Sequence, residues 1–112
     1  MVYGLLISNS LMIIYNVTIK VDSSIADEWL RWMTDVHIPA MVDTGCFSKP
    51  TVLKLLELDD SEGPTYAVQY KADSMQVYDQ YIDRYSVKMR NDSFERWGNK
   101  FIAFRSVMEV VN

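Results

Sequence analysis

The chain has 112 residues, close to the commonest domain size, and 49% hydrophobic against 23% charged residues suits one soluble, ordered core. A formal net charge of −4 with no basic run excludes a phosphate backbone or an anionic membrane as an electrostatic partner. A lone cysteine, Cys46, and a lone histidine, His37, leave no intrachain disulfide, no cysteine zinc site and no multi-histidine metal cluster, and a single thiol fits the reducing cytoplasm.

Residues 1–11, MVYGLLISNSL, carry no Lys or Arg, and their apolar part is too short to span a membrane. They lack the positive start and cleavage site of a secretory signal. They read as a non-essential leader, with Met12 the natural start and residues 12–112 a single domain. The intact mass of the native protein tests this, and a mature chain beginning at Met1 contradicts it.

Ile13 to Val21 alternates with period two and is rich in β-branched residues, which predicts a strand. Tyr15, Val17, Ile19 and Val21 form its apolar row; Ile14, Asn16, Thr18 and Lys20 form a mixed one. Ser24 and Asp27 stand in capping-box spacing before a helix whose stripe is Ile25, Trp29, Trp32, Met33 and Val36. Pro39 predicts that this helix ends or kinks between Val36 and Ile38. A second strand runs from Ser48 to Leu58, with Pro50 at an edge; the turn cluster DDSEGP follows, then a third strand from Thr65 to Ala72. Asp73 caps a second helix striped by Met75, Tyr78, Ile82, Tyr85 and Met89, with a possible break at Asn91–Ser93 and an end at Gly98. Phe101 to Val111 is the last strand. Its rows are Ile102, Phe104, Met108 and Val110 against Phe101, Ala103, Arg105, Val107 and Glu109.

The order β-α-β-β-α-β predicts an α+β, ferredoxin-like domain, a four-stranded antiparallel sheet with two helices on one face. The apolar rows, Ile102, Phe104 and Met108 among them, should lie under the helices. The bare face then shows Ile14, Asn16, Thr18, Gln69, Lys71, Phe101, Ala103, Val107 and Arg105. It is too apolar to be left wet and too polar for a second dry core, so the economical solution is a homodimer whose sheets face one another around a partly polar chamber.

The segments MIIYNVTIKVD, EWLRWM…HIP…TGCF, YAVQY and ERWGNKFIAFRSVMEVV together resemble an uncharacterised bacterial family, domain-of-unknown-function family 4286, over roughly Met12 to Val111. That family is similar in fold to the dimeric α+β barrel superfamily, which includes small monooxygenases, muconolactone isomerase and haem-binding relatives. The resemblance implies ferredoxin-like topology and a dimer, and carries no assigned activity. Its start at Met12 agrees with a dispensable leader.

His37 sits on the shoulder of the first helical stripe. It can satisfy orphan carbonyls at a helix end, or act as an acid or base at the chamber mouth. With no paired nucleophile in sight, the residues favour the structural role. Asn16, Thr18, Gln69 and Arg105 can grip a small polar or anionic ligand, with Arg105 as a carboxylate fork, or can pair with one another across strands or protomers. Trp29 and Trp32 read as core, Cys46 as a small buried residue, and Asp59, Asp60 and Glu62 as a solvated turn. The expected protein is a cytoplasmic homodimer that binds a small molecule or a protein partner, without metal or cofactor. The alternative is a cofactor-independent oxygenase or isomerase acting on a small aromatic or acidic compound, with Asn16 and Arg105 stabilising negative charge and His37 moving a proton. A haem site with His37 as axial ligand is a third, poorer reading.

Overall fold

Strand β1 (Ile13–Val21) is the hub of the sheet in the computed structural model, which describes residues 11–112. The expectation of a leader, Leu11 apart, lies outside the described residues. β3 (Thr65–Ala72) pairs antiparallel with one side of β1, placing Tyr70 opposite Tyr15 and Val68 opposite Val17. β4 (Phe101–Glu109) pairs antiparallel with the other side, and β2 (Ser48–Lys54) adds to the outer edge of β3. The spatial order is β2-β3-β1-β4, the ferredoxin-like arrangement. Among the described residues no helix is long and apolar enough to cross a membrane.

The first helix does not stop at Val36–Ile38. Helix α1 (Ala26–Trp32) passes through a π-helical turn, Met33–His37, into α2 (Ile38–Asp43). In that turn the Ile38 N–H donates to the Met33 carbonyl, five residues back. The wider turn relieves the press of the Pro39 ring on the preceding carbonyls, so the helix bulges where a break was predicted. Nor does the Ser24–Asp27 capping box form. The Asp22 carboxylate accepts from the Ser24 N–H at 2.9 Å and from the Ser24 hydroxyl, which occupies that side chain.

Helix α3 (Met75–Arg84) is capped by Ser74 rather than Asp73, its hydroxyl oxygen accepting from the Val77 N–H at 3.2 Å. The break falls at Tyr85 (φ −127°), not at Asn91–Ser93, and α4 (Ser86–Trp97) ends at Gly98, as expected. Tyr81, absent from the predicted stripe, is buried, and Met75 is exposed. The rings of Tyr15, Phe47, Tyr70 and Tyr81 form one cluster, with Phe47 and Tyr81 centroids 4.7 Å apart. Trp29 stacks on Tyr66 at 5.5 Å. Such pairs contribute about 0.5–1.5 kcal/mol each beyond the area they bury.

β2 ends at Lys54, four residues short of the expected Leu58, and a bulge between Ser48 and Thr51 takes up Pro50, which has no N–H to donate. The hairpin loop docks on the end of β1: the Val21 N–H donates to Pro64 and the Ser23 N–H to Glu62, both at 2.9 Å. Gly63 permits this approach. Its φ is +144°, and a Cβ there would stand 1.8 Å from the Val21 carbonyl oxygen.

β4 lies with the opposite face to the helices from the one expected. Phe101, Ala103 and Arg105 pair with Val21, Ile19 and Val17 and so share their helix-facing side. Ile102, Phe104 and Met108 pair with Lys20, Thr18 and Ile14 on the bare side, where they are 59%, 68% and 41% exposed. Each row of this strand mixes apolar side chains with polar ones, Arg105 and Glu109 in one and Ser106 in the other, so alternation alone could not orient it. The small Ala103 fits beneath the helices, and the larger side chains go to the uncovered face.

Candidate functional site

The five residues expected to form one site divide between the two faces of the sheet. Asn16, Thr18 and Gln69 lie on the bare face. Gln69 Nε2 donates to Asn16 Oδ1 at 3.2 Å, and Asn16 Nδ2 donates to Thr18 Oγ1 at 2.9 Å. Asn16 is buried, and these groups satisfy one another across β1 and β3, as buried amides require. Around them stand Ile14, Leu53, Ile102, Phe104 and Met108, so the bare face is more apolar than expected.

His37 and Arg105 meet on the other side, at a recess of about 50 Å3 between the sheet and the helices. The reversal of β4 brings Arg105 there. The floor is Val17 and Ala103, and Met33, Met41 and Met89 wall it from the helices. Arg90 and Ser93, one and four residues beyond Met89 on α4, reach the same rim. Sequence reasoning missed both; extending the Met89 stripe by one helical turn points to Ser93 and its neighbour. Trp29 and Tyr81 also border the recess, and the Tyr81 hydroxyl donates to the Met41 sulfur at 3.3 Å. Ser93 Oγ donates to the Met89 carbonyl at 3.2 Å, leaving its lone pairs free.

The π-helical turn sets His37. The imidazole stacks on Trp32 with centroids 5.0 Å apart, and Trp32 meets Trp97 edge-on at 5.9 Å. His37 borders both the recess and a shallow outer groove lined by Val36, Ala40, Asp92 and Glu95, so the ring stands between the two. Burial pulls its pKa down to about 4; Asp92 opposes this and Arg105 adds to it. The ring is neutral at pH 7. Burial also pushes the Tyr70 and Tyr81 phenols well above their ordinary range, with neighbouring tyrosines reinforcing it. Arg90 and Arg105 both act against the rise at Tyr81.

Among the described residues neither Arg90 nor Arg105 forms an ion pair; the pair present is Lys88–Asp92, at 2.8 Å. Two guanidinium groups from different elements therefore flank an apolar hollow. Trp29 is core, as expected, and Cys46 is buried. Asp59 spends its carboxylate on the Ser61 N–H.

The sheet order and the helix-side recess define a ferredoxin-like α+β protein with a small polar-rimmed hollow under its helices. The chain belongs to the domain-of-unknown-function family DUF4286, whose profile matches residues 12–111. No curated protein matches it. Among solved structures it is similar to a dimeric ferredoxin-like protein from an uncultured marine organism, with a TM-score of 0.71 at 9% identity over 91% of this chain and 97% of that one. It is also similar to the hydroxynitrile lyase of Passiflora edulis, with a TM-score of 0.56 at 12% identity over 86% and 93% of the two chains.

Proposed function

We propose that the protein is a cytoplasmic homodimer that pairs through the bare face of its sheet, each protomer binding a small organic anion in the helix-side recess. The observation that carries the binding reading is the pair of guanidinium groups, Arg90 and Arg105, flanking an apolar hollow with no carboxylate partner among the described residues. Such a rim favours a carboxylate, which a guanidinium grips with two parallel hydrogen bonds. The dimer reading is supported by Ile102, Phe104, Met108 and Leu53 on one uncovered face, and by a structural neighbour that is itself dimeric. The free, buried Cys46 is in keeping with a reducing compartment.

Native mass spectrometry of the purified protein tests both halves. A dimer that releases a small acid on denaturation is the expected result. A monomer contradicts the pairing, and a dimer whose tryptophan fluorescence responds to no small acid contradicts the binding.

A second reading, a cofactor-free enzyme moving a proton in the same recess, draws on His37, a neutral imidazole on a π-helical turn, a feature frequent at functional sites. The lyase named among the neighbours is in keeping with it. A base with a pKa near 4 is weak at neutral pH, which ranks this second. Turnover of a small acid that His37→Gln abolishes, with affinity kept, supports the enzyme; turnover by the variant at the wild-type rate contradicts it.

A further inference from the structure

We infer that the ligand of the helix-side recess is a short-chain aliphatic monocarboxylate, its tail inside and its carboxylate at Arg90 and Arg105. This deepens the anion-binding reading and rests on it.

Volume sets the tail. The recess of about 50 Å3 is a third of the roughly 150 Å3 of an apolar cavity that takes up benzene. Space of that size encloses a short aliphatic tail and is too small to enclose an aromatic ring.

Chemistry sets the head. Val17, Ala103 and the methionines offer the tail no hydrogen bond, and the hydroxyls of Tyr15, Tyr70, Tyr81 and Ser93 that also border the recess carry no positive charge, so a second carboxylate in the hollow would have no cation to pair with. The positive groups lie at the rim alone. The bound acid is therefore singly charged and amphipathic. The phenol of Tyr81 and the imidazole of His37 border the recess uncharged at pH 7, and neither repels the carboxylate.

The methionine wall is the size filter. Three thioethers from α4, α2 and the π-helical turn wall the volume a ring would need, and methionine is unbranched and flexible. Met89→Ala or Met33→Ala enlarges the hollow.

The test is an equilibrium titration of the full chain with propionate, butyrate, benzoate and succinate, read by tryptophan fluorescence, Trp29 being in the recess wall. Butyrate is expected to bind at least about tenfold more tightly than benzoate and succinate, a gap of about 1.4 kcal/mol. Arg105→Ala should lose about tenfold for butyrate, and Met89→Ala or Met33→Ala, whichever folds, should bring benzoate within about threefold of it. Benzoate or succinate binding within tenfold of butyrate, or more tightly, overturns the chain-length inference and leaves the anion site standing. No saturable response to any of the four overturns both.

Discussion

Phe104→Ala separates assembly from folding. The ring is 68% exposed in the protomer, on the bare face beside Thr18. Burying a whole phenylalanine contributes about 1.5–3 kcal/mol, so covering the exposed part contributes about 1–2 kcal/mol. A two-fold interface buries the ring twice, and its loss costs roughly 2–4 kcal/mol, or a rise of roughly 30- to 700-fold in the dimer dissociation constant. The protomer itself loses only the part already packed, below about 1 kcal/mol, so its unfolding measured well under the dissociation constant should barely move. Sedimentation equilibrium of the variant, checked for native circular dichroism, reads the shift. A folded Phe104→Ala protein that dimerises as tightly as the parent refutes the assignment of this face.

Three further outcomes follow from named contacts. The His37 pKa is depressed from 6.5 to about 4, so the neutral form stabilises the fold. That stability is complete above pH 6.5 and is lost as pH falls toward 4, by about 2 kcal/mol after allowing for the solvent that still reaches the ring; urea melts should show this loss in the parent and not in His37→Gln. Gly63→Ala places a Cβ 1.8 Å from the Val21 carbonyl and should cost roughly 3 kcal/mol or more in thermal unfolding, with an unchanged midpoint counting against the docked hairpin. Ser74→Ala removes the acceptor of the Val77 N–H and should cost about 1 kcal/mol, whereas Asp73→Ala should cost little, a contrast that chemical denaturation resolves.

The period-two rows of β1 and β3 and the turn at DDSEGP were enough to read the topology from the residues. Strand β4 was not readable in the same way: both its rows mix apolar and polar residues, and only pairing with Val21 and Ile19 decides which goes under the helices. That one ambiguity carried the site with it, since Arg105 changes face with the strand. His37 was legible as a candidate because it is the lone imidazole, but its setting was not. A proline predicts a break; whether the helix breaks or widens into a π turn depends on the packing of Met33 and Trp32 around it. Asn16, Thr18 and Gln69 showed their polarity in the sequence, but their hydrogen bonds to each other depend on cross-strand register.

The location of the ligand is most directly tested by amide NMR shifts of the 15N-labelled protein during a butyrate titration. Perturbations gathered on His37, Arg90, Ser93 and Arg105, with Asn16, Thr18 and Gln69 still, are the predicted result. Shifts centred on Asn16, Thr18 and Gln69 instead would place the ligand between the paired sheets and contradict the helix-side recess.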